Sequence, residues 1–167
     1  VRNNKEKAAL IRSAQTDALT GVYTKENTQN MIDEILRKKD PDSFHGFLIL
    51  DMDHFKEVND VYGHAMGDKV LEMLGNFLKK QFREQDVIGR IGGDEFVILL
   101  YNIGSRQNME NRVKSLQEKI REIHMDGMEG HTFTLSAGIA FAPQDGDTFM
   151  ELYQKADLAL YQVKRSG

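Results

Sequence analysis

Hydrophobic positions along this chain recur at two spacings, one near four residues and one near two, and the changes between them divide it into elements. Met31, Ile32, Ile35 and Leu36 recur at helical spacing, and Asp40-Pro41-Asp42 stops that pattern. Phe47-Leu48-Ile49-Leu50 is continuously apolar and too short for an independent helix, so residues 44–50 read as a buried strand with Asp51 at its carboxyl end. A short helix is predicted over residues 55–61. Beyond Gly63 and Gly67, the positions Val70, Leu71, Leu74, Phe77, Leu78 and Phe82 form one apolar helical face over residues 68–82, with Asp68 placed as its N-cap.

Residues 87–91 and 96–100 are two strand-like runs separated by Gly92-Gly93-Asp94-Glu95, the pattern of a hairpin with two carboxylates at its tip. Met109, Val113, Leu116, Ile120 and Ile123 mark another amphipathic helix, and Phe133, Leu135, Ala137 and Ile139 alternate as a strand. A final helix follows Thr148 and is expected to bury Leu152, Ala156, Ala159, Leu160 and Val163. This order implies a sheet covered by helices, in the α/β or α+β class. Residues 1–15 are rich in helix formers but carry a thin apolar stripe at Ala8, Leu10, Ile11 and Ala14. They read as the end of a connecting helix from a missing upstream region, and residues 16–167 as one domain.

Composition narrows the function. The 167 residues suit a single core, and with 40% apolar residues, 29% charged residues and 2 Pro neither a disordered nor a fibrous chain fits. A net charge of -4 offers no general attraction to nucleic acid or an anionic membrane, so any phosphate binding must be local. The absence of Cys excludes disulfides, Cys-ligated zinc and thiol catalysis. The longest apolar run, residues 96–101, is far short of the ~20 residues that span a bilayer. The domain is therefore expected in the cytoplasm without membrane contact of its own, any inner-membrane anchor lying outside this chain.

Carboxylates at a strand mouth and a hairpin tip are oxygen ligands of the kind Mg²⁺ uses together with substrate phosphates, and Asp51, Asp94 and Glu95 supply such a set if their strands are neighbours. The alternative is that Asp53 caps the next helix and Asp94-Glu95 solvate a turn. Lys56 and Asn59 share one helical face, which a solvated surface explains equally well, and His64 suits an ordinary turn.

Six blocks taken together carry a resemblance. Asp17-Ala-Leu-Thr-Gly-Val22, Leu50-Asp-Met-Asp-His-Phe-Lys-Glu-Val-Asn-Asp60, Tyr62-Gly-His-Ala-Met-Gly-Asp68, Arg90-Ile-Gly-Gly-Asp-Glu-Phe96, Phe133-Thr-Leu-Ser-Ala-Gly138 and Ala156-Asp-Leu-Ala-Leu-Tyr-Gln-Val-Lys164 resemble, in order, the GGDEF family of bacterial diguanylate cyclases. The resemblance implies a fold like the palm of nucleotidyl cyclases and polymerases, with a central, mainly antiparallel sheet flanked by helices. It implies that two copies, each holding one GTP, form cyclic di-GMP and release two pyrophosphates, one copy being half an active site.

By position, the resemblance assigns Mg²⁺, or Mn²⁺ in its place, to Asp51, Asp94 and the backbone carbonyl of Met52. Asp94 matches a proton acceptor, Glu95 is a second acidic candidate, and Lys56 and Lys164 would stabilise phosphate charge. Asn59 and Asp68 match guanine-reading positions and His64 a further substrate contact. Arg90 would support the signature loop or a phosphate, or form a structural salt bridge. Arg83-Glu84-Gln85-Asp86 resembles the family's RxxD product-inhibition motif, with Arg112 a candidate second arginine. An upstream sensory or receiver domain is the further implied partner. Thr24 and Lys25 depart from a common Asn-Arg, Ile91 from a frequent aromatic, and the sequence stops at Gly167 before a common phosphate-binding Arg. The rival readings are a catalytically silent module that senses cyclic di-GMP or GTP, and an inert partner-binding domain without nucleotide affinity.

Overall fold

A computed structural model of the chain describes residues 3–166, so the predicted helix start at Val1 and Arg2, and Gly167, lie outside the described residues. Helix α1 (Asn4–Gln15) leads through a polar turn into α2 (Lys25–Arg37), whose N-cap Thr24 accepts from the Asn27 N–H. Then follow β1 (His45–Met52), α3 (Phe55–Tyr62), α4 (His64–Gln81), the hairpin β2 (Val87–Gly92) and β3 (Glu95–Leu100), α5 (Arg106–Ile120), β4 (Leu135–Ala142) and α6 (Phe149–Ser166). On α1, Ala8, Leu10 and Ala14 of the predicted stripe are exposed, and the Ile11 side chain lies outside the description.

The strands form one antiparallel sheet in the order β2-β3-β1-β4. Its strand β1 is covered on both faces, which is why its apolar run is continuous. Leu48, Leu50 and Met52 face a core shared with α4 and α5, while Phe47 and Ile49 face α2 and α6. The register sets Asp51 between Glu95 on β3 and Ser136 on β4. Two adjacent strands thus bring carboxylates to the same end of the sheet.

Helix α6 crosses the sheet at Gly138, where a Cβ would lie 2.1 Å from the Ala156 carbonyl oxygen. Only a residue without a side chain lets α6 approach this closely, and that approach carries Lys164 to the end of β1. Val163, expected to be buried, is 49% exposed, because the last turn of α6 runs past the sheet edge to the rim of a cleft.

Several boundaries differ from the pattern. Helix α4 begins at His64, so Asp68 is inside the helix and is not its N-cap; Gly63 (φ 91°) takes that place without a side-chain bond. The cause is Gly67, against which Asn59 of α3 packs so tightly that a Cβ would meet Asn59 Oδ1 at 1.8 Å, allowing the two helices to join through one residue. Strand β4 starts two residues after Phe133, and Glu95 belongs to β3, leaving Gly93 and Asp94 at the hairpin tip.

Candidate active site

Strand alternation turns Asp51 toward the α6 side of the sheet, away from the core that takes Leu50 and Met52. Its Oδ2 accepts from the Lys164 ammonium, and its Oδ1 is buried without a hydrogen-bond partner. Asp94, at the hairpin tip, reaches the same carboxylate. Burial, then the hydrogen bond and negative charge of Asp51, push Asp94 up to about 7; its backbone N–H and Lys164 act in the opposite direction without offsetting this. Burial alone lowers the Lys164 pKa, but its bond to Asp51 and the charges of Asp51, Asp94 and Asp53 hold it above its ordinary value. Two carboxylates in contact, one with an orphaned buried oxygen, form a site short of positive charge.

A cleft of about 540 Å³ opens on these groups and is lined also by Met52, Lys56, Ser136 and the start of α3. His54 turns the chain from β1 into α3 in the left-handed region (φ 61°) and gives no side-chain cap, so the first-turn N–H groups of α3 are left to an outside acceptor. Asp51 and Lys164 border a second opening of about 580 Å³ along α6, with Glu95, Leu158 and Tyr161.

The hairpin tip is fastened from behind. Arg90 donates through Nε to the Gly93 carbonyl (2.8 Å) and through Nη1 to Asp17 (3.2 Å). Burial raises the Asp17 pKa, but the Thr20 hydroxyl (2.7 Å), the Thr20 N–H (2.9 Å) and Arg90 outweigh it and hold the carboxyl below its usual range. The Arg90 guanidinium is thus spent on bracing the turn. Glu95 points to α6, where the Tyr153 hydroxyl donates to it; burial, then that bond and the Glu95 charge, raise the Tyr153 pKa. Asp53 does not cap α3. It accepts from the Thr134 hydroxyl (2.7 Å) and the Ser136 hydroxyl, tying the end of β1 to β4.

Of the residues expected at the site, the cleft gathers Asp51, Met52, Lys56, Asp94 and Lys164, with Glu95 on the second opening. Asn59, His64 and Asp68 lie apart on the α3–α4 pair, His64 and Asp68 exposed. Arg83 and Asp86 form a separate loop. Asp86, its side chain fully buried, accepts from the N–H groups of Arg83 and Tyr101 (2.9 Å each) and from the Arg83 guanidinium (3.2 Å). Arg83, 44% exposed in its side chain, also donates to the Tyr101 carbonyl. Arg112, on α5, lies over the Phe82 ring at 5.1 Å and donates to the Gln81 carbonyl, so it contacts the two residues that precede this loop.

Sequence reasoning missed Tyr153 and the Asp17–Arg90 pairing. Asp17 opens a block already singled out, and its partner 73 residues away is visible only once β2 folds beside that turn.

Residues 14–167 match the family described as diguanylate cyclase, GGDEF domain. The chain belongs to the GGDEF family. It is 36% identical to diguanylate cyclase TpbB of Pseudomonas aeruginosa over 167 residues, a match covering 97% of this chain and 38% of that protein. The chain therefore spans about two-fifths of that relative's length. A solved structure comprising only the GGDEF domain of TpbB superposes with a TM-score of 0.85 at 31% identity, covering 91% of this chain and 90% of that one. A microbial GGDEF domain solved with cyclic di-GMP matches at 30% identity with a TM-score of 0.79, over 95% of each chain. Among the described residues, no GGDEF-domain helix is long and apolar enough to cross a membrane, and no group of three acidic, His or Cys side chains forms a metal cluster. Two carboxylates and a carbonyl are a donor set that suits Mg²⁺, which takes its remaining positions from water and phosphates.

Proposed function

We propose that this chain is the catalytic domain of a Mg²⁺-dependent diguanylate cyclase that condenses two GTP into cyclic di-GMP and releases two pyrophosphates. The observation that carries the reading is the contact between Asp51 and Asp94 in a cleft that also holds Lys56 and Lys164. Asp51, Asp94 and the Met52 carbonyl would hold Mg²⁺, or Mn²⁺, which when bound makes the α-phosphate a better electrophile. The first-turn N–H groups of α3 and the ammonium groups of Lys56 and Lys164 bind the phosphates. Asp94 takes the proton of the attacking 3′-hydroxyl at its carboxylate, a role for which Glu95 is turned toward Tyr153 and less well aimed. Asn59 and Asp68 read guanine, with His64 as a further contact.

Each copy binds one GTP, so a second copy completes the site. The opening along α6, where Leu158 and Tyr161 are 56% and 58% exposed, leaves the far side of Asp51 accessible to it. Product inhibition through Arg83 is part of the proposal, Asp86 and Arg112 shaping that loop. Residues 1–15 would join residues 16–167 to an upstream sensory or receiver domain of a cytoplasm-facing protein. The silent-module reading is disfavoured by the complete set of carboxylates and lysines.

The test incubates the purified chain with GTP and Mg²⁺, alone and fused to a dimerising coiled coil, and quantifies cyclic di-GMP chromatographically. Turnover is expected in the fused form, lost on chelation and in Asp51→Asn and Asp94→Asn. No cyclic di-GMP from the forced dimer overturns the reading.

A further inference from the structure

At the opposite end of β1 from Asp51, roughly 20 Å away at ~3.3 Å per residue, His45 lines a cavity of about 270 Å³ between the end of α2, the loop at residues 39–43 and the end of β4. The ring is 5% exposed and packs on Tyr101 at 4.8 Å between centroids. The Asn102 N–H donates to its Nδ1 at 2.8 Å. A backbone N–H is only a donor, so Nδ1 carries no proton and the neutral ring holds its proton on Nε2. Protonating Nδ1 would set two donors face to face, and burial, partly offset by Asp40, independently lowers the His45 pKa. Among the described residues no acceptor is hydrogen-bonded to the Nε2–H.

A buried side chain with one N–H outside its backbone bond, lining a cavity of apolar walls and polar groups that include Ser43, is the kind of donor by which small-molecule sites set orientation. Ile35, Leu36, Pro41 and Pro143 supply the apolar walls. The charged rim is Lys39, Asp40 and Asp147, one negative charge in excess, which penalises an anion and favours a ligand carrying its own N–H donor. An apolar cavity of roughly 150 Å³ holds benzene, so this one admits a single ring with a substituent.

We propose that the His45 cavity binds a small neutral carboxamide or lactam ring, the carbonyl oxygen accepting from His45 Nε2–H and the amide N–H facing the acidic rim. The site is independent of the cyclase reading.

The test titrates the ¹⁵N-labelled chain with benzamide and, in parallel, with sodium benzoate, following the Asn102 amide and the His45 ring N–H. Benzamide is expected to shift both saturably, and benzoate to bind about tenfold more weakly or worse. His45→Asn offers an amide oxygen to the Asn102 N–H but no Nε2 donor, and is expected to weaken benzamide by about tenfold. Ile35→Trp fills the cavity without touching that hydrogen bond and is expected to abolish the shifts. No saturable shift with benzamide, equal binding by His45→Asn or Ile35→Trp, or a preference for benzoate overturns the proposal.

Discussion

Arg90 and Asp17 meet at 3.2 Å across 73 residues of sequence, and the same guanidinium grips the Gly93 carbonyl, so the residue before Asp94 is anchored to the turn that follows α1. That turn is itself tied down, since Thr24 N–H donates to the Gln15 carbonyl and Tyr23 pairs with β2. Arg90→Lys keeps a charge but cannot serve both partners at once. We expect it, and Asp17→Asn, to lower cyclic di-GMP turnover by about tenfold to a hundredfold with little change in GTP binding. Steady-state kinetics separating kcat from KM check this. Because the Asp17 pKa is lowered on folding, its contribution to stability is present above its unfolded value and is lost as pH falls below it.

Asp94 has the opposite sign. Unfolded, it releases its proton near 3.8; folded and without a metal ion, it keeps it to about 7. In that window the folded chain binds more protons than the unfolded one, so stability falls as pH rises from about 4 to about 7. Thermal unfolding in a chelator is expected to show Asp94→Asn more stable than wild type at pH above about 7 and the difference shrinking on acidification. The same variant should be inactive. An unchanged difference across the range would rule out a raised Asp94 pKa in the folded chain.

Arg83 and Asp86 should separate in their effects. Asp86→Ala removes the buried acceptor of two backbone N–H groups and of the half-exposed Arg83 guanidinium, and is expected to cost about 3 kcal/mol in urea unfolding. Arg83→Ala removes a half-exposed side chain, costs about 1 kcal/mol or less, and is expected to relieve inhibition by cyclic di-GMP. Inhibition assays on both variants, at temperatures where both are folded, check this.

Gly138→Ala forces a methyl group onto the Ala156 carbonyl and the Leu160 backbone. An expected loss of about 2–3 kcal/mol should be accompanied by reduced turnover, because α6 is pushed from the sheet and Lys164 with it. Urea unfolding and activity at a temperature where the variant is folded give the two readouts.

Much of this was legible in the chain. The continuous apolar run of β1, the paired runs of the hairpin and the spacing of α2, α4, α5 and α6 each follow from burial on one face or two. Asp51 and Asp94 were readable as neighbours once their strands were taken to pair. Asp68 was misjudged as a cap because helical start signals favour a polar side chain, whereas here a bare backbone at Gly67 lets α4 begin a turn earlier against Asn59. Val163 looked like core by spacing alone, which cannot tell where a helix outruns its sheet. The Tyr153–Glu95 bond left no local trace, since its partners are 58 residues apart and share only a sheet face.

The ammonium of Lys164 sits on Asp51 Oδ2 and leaves the other oxygen of the same carboxylate without a partner. In the proposed enzyme a divalent ion would share the Asp51 carboxylate with a cation that is tethered to α6 and never diffuses away. A shift in the closing turn of α6 would therefore be felt at the Asp51 carboxylate as a change in how strongly it attracts a second cation.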